Sequence, residues 1–204
     1  MLQNIADTML GKHEYDLVIQ NVQIVNVYND TIRKGEIGIV EGKIGEISYN
    51  TNHLKGKKTI DGSNKYAIPG FIDSHMHLES SMLTPNHFAE IALSCGTTTV
   101  AADPHEIANV MGIKGVKSLV EACLDLPLNV YVFAPSTIPS LPGFESSGFD
   151  VTGKEMNEML NLKGVIGLGE VMDFNAVSHG EKRMIDIIQT ATNKGVLLDG
   201  HVAL

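Results

Sequence analysis

Cysteine is scarce: Cys95 and Cys123 are the only two in 204 residues, far apart and in no C-x-x-C pair. That spacing argues against a disulfide framework and against a cysteine-rich zinc site. Basic runs are also missing, and the net charge is -9. With no positive patch to neutralise phosphates, neither nucleic acid nor an anionic membrane surface is an expected partner. No apolar run is long enough to span a bilayer. The opening MLQNIADTMLGKH has Asp7 early and no basic residue before Lys12. It lacks the charged and apolar regions of a signal peptide, so a cytoplasmic location is expected. Cofactor and nucleophile motifs are absent too. Gly167 and Gly169 precede Glu170, but Met172 stands where a G-x-G-x-x-G fingerprint needs its third glycine. There is no phosphate-binding G-x-x-x-x-G-K-[ST] loop and no G-x-S-x-G elbow, which leaves nucleotide-cofactor and serine-hydrolase chemistry without support.

What is present is ordinary globular material. Hydrophobic residues make up 43% and charged residues 19%, enough for one core or for one core with a small satellite. Leu2, Ile5, Met9 and Leu10 recur at helical spacing before Gly11, so residues 1–13 read as a leading helix. Residues 14–65 read as a small β domain. EYDLVIQNVQIVNVYND is rich in Val and Ile, and Ile37, Ile39, Ile44 and Ile47 flank Glu41-Gly42-Lys43 as in a tight hairpin. The texture changes at Tyr66. Over 66–204 the apolar runs 66–77, 96–104, 128–136, 164–171 and 195–201 alternate with stretches of helical spacing. Such alternation implies a parallel sheet covered by helices, either a β/α barrel or a doubly wound open sheet.

The chemistry gathers where those runs end. His75 and His77 stand two apart on one strand, so both imidazoles face one point while Met76 turns away. A divalent metal suits the pair, and two polar residues at a strand end is the plainer reading. Glu170 ends GVIGLGEV, either as a metal ligand or as a carboxylate reaching solvent. His201 ends VLLDG close to the last residue, where terminal disorder is the competing account. In AADPHEIANV, Pro104 disfavours helix at Asp103, so a loop is expected to turn there. Asp103, His105 and Glu106 then serve substrate binding or orient ligands, or Asp103 caps the next helix. Glu79, Ser80 and Ser81 carry the same double reading. His13, His53, His87 and His179 fit no constellation and are expected at the surface.

PGFIDSHMHLESSML resembles the first barrel strand of amidohydrolases, where an H-x-H pair binds metal. HMHLESSMLTP, GTTTVAADPHEIANVMG, PSTIPSLPGFESSG, GLGEVMDF and LLDGH together resemble the bacterial adenine deaminases within that superfamily. The resemblance implies a TIM-type (β/α)8 barrel joined to a β-sandwich built from both chain ends. It implies metal ligation by His75, His77, Glu170 and His201. Glu170, as a metal-bridging carboxylate, stands where hydantoinases have a carbamylated lysine. The implied metal is manganese or iron, with zinc as the alternative. The implied reaction is hydrolysis of adenine to hypoxanthine and ammonia by metal-activated water. The H-x-E and P-C-x-x-C pattern of zinc base deaminases is absent, so this is a different solution to similar chemistry.

The family's proton-carrying aspartate follows strand eight, and the sequence ends after about five strands. The expectation is an incomplete barrel preceded by the N-terminal part of a β-sandwich. Such a chain would be a truncated product, inactive alone, or would be completed by strands from another polypeptide. A third expectation is a non-catalytic remnant that binds metal or assembles with itself.

Overall fold

The computed structural model describes residues 2–50 and 52–201. The chain divides into two compact units, Met1–Pro69 and Gly70–Leu204.

The first unit opens with helix α1 (Leu2–Met9). Strands β1 (Leu17–Asn26), β2 (Thr31–Val40), β3 (Lys43–Ser48), β4 (Thr59–Asp61) and β5 (Tyr66–Ala67) follow. Antiparallel β3-β2-β1 is extended by β4 and β5, both parallel to β1. Tyr66–Ala67 therefore lies in this sheet, although the change of texture at Tyr66 assigns it to the barrel. β2 and β3 join through Glu41 and Gly42, which both have positive φ (50° and 72°), the signature of a two-residue hairpin turn. β1 contains a bulge: Ile19 pairs with Ile37 and Val22 with Gly35, so β1 has one residue more than β2. The extra residue reverses which face each later side chain takes. Val18 accordingly packs with Tyr15, Val40 and Leu54, while Val22 and Ile24 pack with Ile37 in a separate cluster. Buried Glu36 accepts hydrogen bonds from the backbone N–H groups of Asn52, His53 and Leu54 and fixes the loop after β3.

The second unit is an α/β half-barrel. Its elements in order are β6 (Phe71–Met76), α2 (Pro85–Ser94), β7 (Thr97–Ala102), α3 (His105–Cys123), β8 (Asn129–Pro135), α4 (Gly153–Met159), β9 (Val165–Val171), α5 (Phe174–Ser178), α6 (Lys182–Lys194) and β10 (Leu197–Gly200). Among the described residues the sheet has five strands, all parallel, in the order β10-β9-β8-β7-β6. Each strand adds beside its predecessor and the order never reverses. This is barrel topology, not the doubly wound alternative. Helices α3, α4 and α6 bury Val116, Met156, Met159, Met184 and Ile187 against Val132, Ala134 and Leu168 of β8 and β9. The edge strands are bare: Phe71, Ile72, Leu197 and Leu198 are 55%, 70%, 60% and 51% exposed.

One local feature departs from the sequence reading. AADPHEIANV turns at Asp103 as expected, and α3 starts at His105 and runs to a break at Gly112 (φ 59°, ψ -145°) before resuming. Asp103 is not its cap. Pro104 holds the cap position, and neither carboxylate oxygen of Asp103 has a hydrogen-bond partner. The cap comes from elsewhere: Ile107 N–H donates to Glu79 Oε1 at 3.2 Å. Glu79 belongs to a single 3-10 turn (Glu79–Ser81) after β6.

Candidate metal centre

His75 stands one residue before the end of β6 and His77 just past it, with Met76 between them directed away into the α2 side of the sheet. Each ring is held by its Nδ1. His77 Nδ1 lies 2.8 Å from the Asp103 carbonyl oxygen, and His75 Nδ1 lies 3.3 Å from Asp199 Oδ2. The Asp103 carbonyl only accepts, so His77 Nδ1 donates to it and His77 Nε2 is left free for a ligand. The two Nε2 atoms face one carboxylate. His75 Nε2 is 2.9 Å from Glu170 Oε1, and His77 Nε2 is 3.6 Å from Glu170 Oε2. His201, just past β10, places Nδ1 3.3 Å from Glu170 Oε1. The Glu170 side chain is 9% exposed, those of His77 and His75 are 27% and 37%, and that of His201 is 60%.

This donor set fits a divalent cation. One ligand atom each from His75, His77 and Glu170 lies within 4.8 Å of the others. Ligands about 2.0–2.2 Å from a shared ion stand roughly 3 to 3.5 Å apart, close to the contacts above. Neutral imidazole nitrogen and carboxylate oxygen are donors that zinc, iron and manganese all accept. The site opens into a cavity of about 410 Å³, lined in part by Ser74, His75, Phe133, Glu170, Leu198 and His201.

Further polar groups lie beside it. Asp103 is 1% exposed. Its carboxyl is pushed up to about 8, first by burial and then by the charges of Glu170, Glu79, Glu106 and Asp199. Burial likewise raises the Glu79 carboxyl and lowers His105. Glu79 Oε2, both Asp103 oxygens and His105 Nδ1 are buried without partners. Glu106 accepts from Ser80 Oγ at 2.5 Å and approaches His77 Nδ1 at 3.6 Å. His105 Nε2 is 3.4 Å from Ser140 Oγ. The structure thus brings His75, His77, Glu170 and His201 together, sets Asp103 and Glu106 against His77, and turns Glu79 to the helix end. His13, His53, His87 and His179 are exposed.

Sequence reasoning missed two contributors, Ser136 and Thr137, and gave a third, Asp199 at the end of the last run, no role. Asp199 stands two before His201 and aims at His75. Ser136 and Thr137, in the PSTIP segment, both donate to the Glu170 carbonyl oxygen. Gly167 and Gly169 also have a packing role: a Cβ at Gly167 would come within 2.9 Å of Phe133 Cε1, and one at Gly169 would overlap Asp103 Oδ2.

A family model described as "Amidohydrolase family" matches residues 66–204. Adenine deaminase of Klebsiella pneumoniae (strain 342) is 44% identical over 191 residues, 94% of this chain and 32% of that protein. Adenine deaminase of Geobacillus kaustophilus is 43% identical over 188 residues, 92% of this chain and 32% of that one. The chain thus spans about a third of the length of the curated relatives it matches. Among solved structures, an adenine deaminase superposes with a TM-score of 0.65 at 21% identity, covering 93% of this chain and 51% of that one. Atrazine chlorohydrolase from Arthrobacter aurescens TC1, complexed with zinc, gives 0.67 at 19%, covering 92% and 53%. At those identities the superpositions speak for the fold alone.

Proposed function

We propose that this chain, which belongs to the amidohydrolase family, corresponds to the N-terminal part of an adenine deaminase and contributes its metal ligands. The observation that carries the reading is the convergence of His75, His77 and Glu170 from strands β6 and β9, in a chain 44% identical to a curated adenine deaminase. His75 and His77 hold the ion through Nε2, Glu170 through its carboxylate and His201 through Nδ1. A manganese or iron ion in that place supplies Lewis acidity and an activated water near neutral pH. With one oxygen toward each imidazole of the pair, Glu170 is suited to bridge two ions.

The Asp103 carbonyl keeps the His77 imidazole in the tautomer that ligation requires. Asp103, His105, Glu106, Glu79 and Ser80 form the substrate side or orient the ligands. Support comes from the contacts of the Asp103 carbonyl and Glu106 with His77 and of Ser80 with Glu106. A cytoplasmic setting and purine metabolism belong to the same reading, with the first unit as the sandwich part and the second as the barrel part.

The test is a metal titration with substitution. The native chain is expected to retain manganese, and Glu170→Gln, carried into the complete enzyme, to lose metal and ammonia release together. Full occupancy with normal turnover in Glu170→Gln would remove Glu170 from the site. A second reading, a metal-binding remnant that assembles with itself, draws on the exposed apolar side chains of β6 and β10. It predicts that metal binding persists in assemblies with no deaminase activity in any completed form.

A further inference from the structure

The geometry points to Ser136 and Thr137 as positioning residues for Glu170, a role that rests on the metal-site reading above. The ladder between β8 and β9 ends with Pro135 opposite Gly169. At the next residue of β9 the peptide carbonyl accepts two hydroxyls instead: Ser136 Oγ at 2.9 Å and Thr137 Oγ1 at 3.0 Å. Thr137 Oγ1 also accepts from Met172 N–H at 3.2 Å. One threonine hydroxyl therefore spans Val171, bonding the carbonyl before it and the N–H after it. Ser136 and Thr137 are both 0% exposed, so bulk water does not compete for these bonds.

The hydroxyls are themselves anchored. Arg183 of α6 donates to the carbonyls of Ile138 at 3.1 Å and Pro139 at 3.4 Å, fixing the loop on which Thr137 sits. Ser136 Oγ and Thr137 Oγ1 lie 2.9 Å apart. The consequence reaches the carboxylate. Glu170 sits at the C-terminal end of its strand, where a free peptide would swing and carry the side chain with it. With both carbonyl lone pairs taken, only side-chain torsions remain to place its oxygens at 2.9 and 3.6 Å from His75 and His77. The PSTIP segment would thus serve the centre without touching an ion.

The probe is cobalt(II), read by its visible d–d bands and by titration into the purified chain. Thr137→Val keeps the shape and removes the hydroxyl; it is expected to weaken cobalt binding about 10- to 100-fold and to shift the bands. Thr137→Ser restores the hydroxyl and is expected to recover native affinity and bands. Native affinity and bands in Thr137→Val would overturn the inference. So would a Thr137→Ser variant as weak as the valine, since packing and not the hydroxyl would then matter. If Thr137→Val fails to fold, Ser136→Ala removes only one donor and is expected to weaken binding in the same direction; unchanged binding there overturns the inference. A native chain that binds no cobalt sinks the metal-site reading itself, and this role with it.

Discussion

Cys95 and Cys123 share a chain and differ in everything that governs a thiol. Cys95 ends α2 in the open, whereas Cys123 is buried at the end of α3. Burial, with a smaller contribution from Glu79, pushes the Cys123 thiol from its ordinary 9.0 to about 11. The folded chain therefore keeps a proton that the unfolded chain gives up across that interval. Stability from this group is fully present below pH 9 and is lost as pH rises through about 11. At pH 8 a disulfide-exchange reagent is expected to label Cys95 promptly and Cys123 only after denaturant is added. Equal labelling rates without denaturant would show that Cys123 is not held in the interior. The convergence of His75 and His77 on Glu170, unlike the setting of these thiols, was legible at the residue scale. Alternation along a strand places His75 and His77 on one face whatever the rest of the fold does. The partners of Asp199, Ser136 and Thr137 were not legible, because each acts on a residue more than thirty positions away. A hydroxyl or carboxylate carries no local mark of that partner.

Elements show the same division. The apolar runs predicted as strands became β6 to β10 because length and β-branched content fix a buried strand locally. The cap of α3 and its break were not foreseen. Its N-terminus is capped by Glu79 from another element, and Gly112 breaks the pattern that would have announced one continuous helix. The bulge in β1 was equally hidden, since only the partner strand reveals the extra residue. β9 allows a direct test. Gly169 leaves room for the buried Asp103 carboxyl, and a Cβ there would also stand 3.0 Å from Phe133 Cβ. Gly169→Ala must displace one of them, and overpacking of this kind costs about 1–3 kcal/mol. Gly200, on neighbouring β10, would place a Cβ with nothing within 4 Å. In urea titrations Gly169→Ala is expected to be clearly destabilised and Gly200→Ala nearly neutral. Equal stability of the two variants would mean that Asp103 does not occupy the space beside β9.

At the scale of the whole molecule, the decisive property is how little encloses the site. His201 and His75 expose 60% and 37% of their side chains, and the strands that carry them, β10 and β6, are the two edges of the sheet. Strand edges with uncovered apolar side chains recruit other strands, so the 204 residues alone are expected to self-associate. Lysine at Ile72 and Leu198 should shift that association toward monomer in sedimentation, because a charge at each edge opposes pairing. Neither form is expected to release ammonia from adenine with manganese present. Electrostatic preorganisation needs a site from which water is excluded, and here both edges lie open. The resemblance also assigns the proton carrier to a strand beyond β10. Ammonia release by the lysine variant, monomeric in the same buffer, would show that β6 to β10 contain all the reaction needs. It would transfer the proton-carrying role to a carboxyl already present, with Asp103 and Asp199 the first to substitute.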